Sequence, residues 1–222
     1  MKLASYLLLL TTLVTCAKAS TISLTFEGLK DEETVNNYYN GGLGGSGSGP
    51  GPNYGITFES NALAIISNQH GGSGNFAGNP SGNTIVFFLT GTGDVMNVAG
   101  GFTTGFSFYY SAINDPGTVT VYSGANATGT VLATLNLPIT PSQAGSATCQ
   151  SDQFCPFTPF GVNFSGTAMS VDFSGTANQI GFDDITLGSS VPDSGNSPEP
   201  ATYALMGGGL LAAGLFRPRR RR

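Results

Sequence analysis

The sequence predicts an all-β body, a sandwich or a barrel, set between two export segments. Three observations predict it. Gly supplies 33 of 222 residues, and Gly inside a helix costs about 1 kcal/mol, which argues against a helical bundle. A series of short runs alternates apolar and polar residues, the mark of half-buried strands. Gly, Asn, Ser and Pro separate these runs, as hairpin turns require, and no stretch between the two ends sustains a helical period.

The first 19 residues read as a signal peptide. Lys2 supplies the positive start, Leu3 to Val14 is mostly apolar, and Ala17-Lys18-Ala19 has the small-x-small pattern of a cleavage site, so the mature chain begins at Ser20. Leu13-Val14-Thr15-Cys16 is similar to a lipoprotein box, with Thr15 larger than the usual residue before the cysteine.

Residues 20–190 read as the sandwich domain. Its first strand is Thr21-Ile22-Ser23-Leu24-Thr25-Phe26, in strict alternation. Further runs lie at Gly55 to Phe58, Ala62 to Ile66, Thr84 to Thr90, Phe102 to Tyr110, Thr118 to Tyr122, Val131 to Leu137, Val162 to Phe164, Met169 to Phe173 and Gln179 to Leu187. Thr118 to Tyr122 and Val131 to Leu137, joined through a Gly124-to-Gly129 turn, make the clearest hairpin. Gly41 to Gly51 is Gly-rich, and no Gly-Lys-Ser/Thr follows to make it a phosphate loop. It reads as a mobile loop.

Cys149 and Cys155 are the two cysteines left after signal removal. An even pair in an exported chain reads as a disulfide. Metal thiolates are the alternative, with no nearby His or third Cys to complete a zinc set.

Charge excludes other classes. Residues 20–197 hold twelve acids and one base, Lys30, for a net charge of −11. Such a body repels nucleic acid and other polyanions and attracts divalent cations. His70, the single histidine, lies in a turn-like Ser67-Asn68-Gln69-His70-Gly71-Gly72 with no nucleophile elbow, and reads as an exposed loop residue rather than a triad member. A glycosidase needs two carboxylates across a cleft. Glu27, Glu59, Asp94, Asp172 and Asp184 are candidates, and Tyr38, Tyr39, Tyr54, Tyr109 and Tyr110 could stack on sugar rings in place of the missing Trp. No catalytic residue is assigned and the body is expected not to be an enzyme.

The last strand breaks its own alternation. Ile180 and Phe182 share one parity, Ile185 and Leu187 the other, so a bulge near Asp183-Asp184 is needed to bury all four. Phe26-Glu27 on the first strand and Phe182-Asp183-Asp184-Ile185 on the last resemble the pattern of galactose-binding-like jelly rolls of the carbohydrate-binding-module type. That resemblance implies a β-sandwich of jelly-roll type with paired terminal strands. It also implies a structural calcium with Glu27 and Asp184 as its acids, aided by backbone carbonyls after Gly28 or by Asp31.

The chain closes with a linker, residues 191–200, an uncharged segment, residues 201–216, and a basic end, residues 217–222. Sixteen helical residues span about 24 Å, short of the roughly 30 Å hydrocarbon core. Arg217, Arg219, Arg220, Arg221 and Arg222 would hold this end in the cytoplasm. Pro198-Glu199-Pro200, then Ala201-Thr202-Tyr203-Ala204-Leu205, the Gly/Leu segment and the Arg cluster resemble the PEP-CTERM sorting signal. The resemblance implies a transient partner, an exosortase, which cuts near Pro198-Glu199-Pro200. The segment would sit in the inner membrane before processing, and the body would reach the cell surface or exterior. The expected role is structural or adhesive within an exopolysaccharide or biofilm matrix. The alternatives are a carbohydrate-binding module and a small secreted glycoside hydrolase.

Overall fold

A computed structural model of the chain describes residues 21–193. The signal peptide, the Pro198-Glu199-Pro200 motif, the segment 201–216 and the Arg cluster lie outside the described residues.

The described residues form two packed antiparallel sheets. The strands are β1 (Ile22–Leu24), β2 (Glu33–Thr34), β3 (Ile56–Phe58), β4 (Ala62–Ile66), β5 (Thr84–Phe88), β6 (Gly93–Phe102), β7 (Gly105–Ser111), β8 (Gly117–Tyr122), β9 (Val131–Leu137), β10 (Thr158–Asn163), β11 (Ala168–Gly175) and β12 (Gly181–Leu187). One sheet runs β10-β7-β12-β5-β4-β2, with β1 also paired to β12; the other runs β3-β6-β11-β8-β9. Among the described residues the helical structure is one 3₁₀ turn, Asn68–His70. The expected hairpin forms between β8 and β9.

Alternating residues of both sheets meet in a Phe-rich core. Phe106, Phe108, Phe173 and Phe182 are buried there. Phe173 and Phe182 bridge the two sheets edge to face at 5.0 Å between centroids. Such pairs add roughly 0.5–1.5 kcal/mol to their area burial. β5 is buried on both faces. Its inner face meets this core, while Ile85 on its outer side packs with Phe76 and Phe157 in a second, smaller cluster. Cys149 and Cys155 are disulfide-bonded beside that cover, as the cysteine pair predicts. Asp152 ties the disulfide loop to the 3₁₀ turn by accepting hydrogen bonds from Asn68 Nδ2 at 2.9 Å and from Gln69.

The sequence pattern names neither β2 nor β6, and β10 begins at Thr158 rather than at Val162. β6 carries Gly93, Asp94, Asn97, Gly100 and Gly101, residues that disfavour strands, yet it pairs on both sides with β3 and β11. The run Phe102 to Tyr110 is split, because Thr103 and Thr104 turn the chain between β6 and β7, with Thr104 at φ 74°.

The Gly-rich stretch differs from the expected mobile loop. Gly44, Gly45 and Gly47 donate to Ser48, Thr34 and Gly44 main-chain oxygens at 2.9–3.0 Å. The stretch wraps the buried carboxylate of Glu33. One of its oxygens, Oε1, accepts the N–H groups of Ser46 at 2.7 Å and Ser48 at 3.0 Å, and Oε2 accepts that of Lys30 at 2.8 Å. A Cβ on Gly44 would press on this carboxyl. The glycines therefore serve close approach to an anion rather than freedom of motion.

Candidate functional site

β12 changes partner halfway along its length. Gly181 and Phe182 face β5, and from Ile185 to Leu187 the strand faces β1. Asp183 and Asp184 sit at this fork, where the register with β7 shifts. Asp184 has φ 47°, a left-handed backbone that is uncommon outside glycine and that Asp adopts more readily than most residues. The bulge that the broken alternation required is present, and Ile180, Phe182, Ile185 and Leu187 are all buried.

The fork also receives the end of the first strand. Phe26 adopts φ 61° and donates its N–H to the Tyr39 hydroxyl at 2.6 Å. That bend turns Glu27 toward the start of β5, where its Oε1 accepts the N–H groups of Asn83 and Thr84, both at 2.8 Å. Gly82, at φ 47°, completes the approach, because a Cβ there would overlap the Glu27 carboxyl.

The two aspartates differ. Asp183 Oδ2 accepts from Asn79 Nδ2 at 3.2 Å and from the Ser81 N–H at 3.3 Å, and its Oδ1 accepts the Asp184 N–H at 2.8 Å. Burial, with the neighbouring Asp184 charge, raises its carboxyl well above the usual range. Asp184 Oδ1 accepts the Ser81 hydroxyl at 2.6 Å, while its Oδ2 is buried with no partner among the described residues. Burial pushes Asp184 up to about 6; the charges of Asp193 and Glu27 add to the shift and the Ser81 bond opposes it.

Glu27 and Asp184 therefore lie within electrostatic reach of one another. The orphaned Oδ2 of Asp184 suits a hard cation or a proton. Calcium takes six to eight oxygens, and among the described residues no group of three or more His, Cys, Asp or Glu side chains is arranged to hold a metal ion. Glu27 and Asp184 would hold such an ion only with main-chain oxygens and water. Asp31, the other candidate, is spent elsewhere, accepting the Ile66 N–H at 2.8 Å.

The remaining candidates do not converge on one cleft. Asp94 points into the core, with both carboxylate oxygens buried and without a hydrogen-bond partner among the described residues. Burial pushes it up to about 7, helped by the charges of Glu59 and Asp172. Asp172 occupies the opposite parity of β11 from buried Phe173, and accepts from Ser174 at 3.0 Å. His70 is exposed at the end of the 3₁₀ turn. Of the five tyrosines, Tyr38, Tyr39 and Tyr110 are buried and Tyr109 packs in the smaller cluster, whereas Tyr54 is 43% exposed. Sequence reasoning named these five rings without separating them, since the pattern around Tyr54 is irregular loop.

No curated protein matches the chain. Among solved structures, the K2 cleaved adhesin domain of Lys-gingipain is similar at 16% identity, over 77% of this chain and 100% of that one, with a TM-score of 0.47. A family 6 carbohydrate-binding module is similar at 18% identity, over 60% and 87%, with a TM-score of 0.37. A carbohydrate-binding module from Cellvibrio mixtus lichenase 5A is similar at 16% identity, over 57% and 96%, with a TM-score of 0.33. At these identities the likeness carries no functional inference. Residues 198–221 match the PEP-CTERM protein-sorting motif. This motif implies export, sorting to the cell surface and processing by an exosortase, so the chain is an all-β sandwich that carries a PEP-CTERM sorting motif behind it.

Proposed function

We propose that this protein is a non-enzymatic component of the cell surface or extracellular matrix, with a structural or adhesive role in an exopolysaccharide or biofilm layer. The observation that carries the reading is the sorting motif at residues 198–221, placed behind an acidic body, residues 20–197, of net charge −11. A polyanionic body stays soluble outside the cell and repels nucleic acid, which favours neutral or cation-bridged partners. The test follows the protein in its producer. Intact mass of the released protein should end near Pro198, and the protein should co-purify with the producer's own exopolysaccharide. A released form that still carries Arg222 would sink processing. Full recovery in the polysaccharide-free fraction, with the mass as expected, would sink the matrix role alone.

A structural calcium at the strand fork is the second part of the proposal, favoured by the orphaned Asp184 Oδ2 beside Glu27. The ion would tie β1 to β12 and relieve repulsion among the fork acids.

A further inference from the structure

The two sheets end in strands of different kinds. Among the described residues one sheet ends on β2 and β10, with β1 to the side, and the other ends on β3 and β9. An end strand turns one row of N–H and C=O groups away from its sheet, a template for another strand. β1 and β3 have three residues each and β2 has two, too short to template much. β10 carries Pro159, which has no N–H to give. β9 differs from all of these. It runs seven residues, Val131 to Leu137, with no charge and no proline, and β8 is its one strand partner. Its bulge against β8 lies between Val131 and Ala133. From Ala133 to Leu137 the strand therefore has none of the charges, prolines or bulges that usually keep an edge from pairing.

Two further observations point to what covers this edge. Apolar side chains collect along the same side of the sandwich without full burial. β9 and β10 approach one another across the two sheets, and Leu132, Ala133, Phe160 and Val162 on them pack against the core yet are only partly buried. Val131 at the head of β9 and Ile139 just past its end are 52% and 49% exposed. Charge is missing from the same stretch. Asp152 is the single Asp, Glu, Lys, Arg or His in residues 116–171, and it is buried, while residues 20–197 as a whole carry −11. Two copies repel through their acidic faces and meet without repulsion here. Identical strands paired antiparallel about a two-fold axis are self-complementary. Buried Leu135 and Leu137 would stand beside their counterparts on the inner face, and exposed Thr134 and Asn136 on the outer face, with no like charges opposed. A strand pair alone is small beside the roughly 800 Å² per partner of a standard interface, so the half-buried apolar row joins it and the complex is reversible.

We infer that this protein self-associates as a two-fold dimer, by antiparallel pairing of β9 with β9 of a second copy. The pairing joins two five-stranded sheets into one. The inference goes beyond the matrix role and does not rest on it. Sedimentation velocity of the exported protein in chelator, over a concentration series from about 1 to 300 µM, tests it. A shift from monomer to dimer along the series is expected. Thr134→Lys and Asn136→Lys each place like charges across the two-fold axis and should weaken the dimer at least about tenfold. The unfolding midpoint of both variants, read where the parent is monomeric, should stay within a few degrees of the parent. Asn163→Lys, at an exposed position of β10, is the control and should leave association unchanged. Hydrogen exchange should slow at residues 131–137 in the concentrated protein and not at β3. A monomer at every concentration overturns the inference. Association that survives both β9 substitutions, or that is lost in Asn163→Lys, overturns it as well. Association that requires added calcium also overturns it, and would mark bridging between acidic faces.

Discussion

Glu33 and Asp184 are both fully buried carboxylates, and the protein treats them oppositely. Burial alone would raise each. Around Glu33, the hydroxyl and N–H of Ser48 and the N–H groups of Lys30 and Ser46 outweigh burial and pull the carboxyl down to about 2. Around Asp184, the hydroxyl of Ser81 is the donor and one oxygen is left bare, so burial prevails and the carboxyl rises to about 6. The supply of aimed donors, rather than depth, decides which buried acid keeps its charge. The Gly-rich loop brings the Ser46 and Ser48 N–H groups to one point because Gly44 has no side chain to hold it off the Glu33 carboxyl. At the fork the backbone N–H groups go instead to Glu27 and Asp183, and Asp184 receives a single hydroxyl.

The largest expected effect comes from removing the satisfied charge. Glu33→Gln should cost about 3 kcal/mol, because a carboxamide nitrogen must then face N–H donors. Urea unfolding reads this directly, and a loss below about 1 kcal/mol would break the comparison. Gly82→Ala probes how closely the fork is packed. It should cost about 2 kcal/mol, through the left-handed backbone and through displacement of Glu27.

The pH profile separates the two kinds of acid. Asp94 at about 7, Asp184 at about 6 and the raised Asp183 bind protons more tightly folded than unfolded. Their stability contribution is complete below the ordinary carboxylate range and is lost as pH rises through the folded values, by up to about 1.4 kcal/mol per group per pH unit. Glu33 has the opposite sign, and its contribution is lost as pH falls from 4.5 toward about 2. Stability should therefore peak near about pH 4–5 and decline toward pH 8 in chelator. Asp184→Asn should flatten the alkaline arm by about 2 kcal/mol and leave the acid arm unchanged. A profile that rises steadily from pH 4 to 8 would reverse the assignment.

Calcium should give the smallest shift, about 1 kcal/mol at a few times its Kd. The shift should be present at pH 8, where the fork acids are ionised, and vanish in Glu27→Ala and in Asp184→Ala. An unfolding midpoint indifferent to calcium at pH 8 would leave the fork as a proton site. A response that survives both substitutions would place the ion elsewhere on the acidic surface.

Much of the fold was legible because strand alternation is a local signal. Ala62–Ile66 and Val131–Leu137 form as read, and the mismatch between Phe182 and Ile185 located the bulge without any structure. β6 was not legible, since its glycines and Asn97 depress strand propensity and its pairing is supplied by β3 and β11, both distant in sequence. The acids of the fork were legible as a pair, but not Ser81 and Asn79, which reach Asp183 and Asp184 across about a hundred residues of chain.

By itself the sequence determined the C-terminal sorting motif, the all-β class, the cysteine pairing and the acidic character, because each follows from composition or from residues near one another. The tertiary structure decided which carboxylates are charged, that the glycine stretch is an anion cradle, and that Tyr54 alone of the five candidate rings faces solvent. Those outcomes depend on how many donors and how much water reach one atom. That count is set by strands far apart in the chain, and local pattern does not carry it.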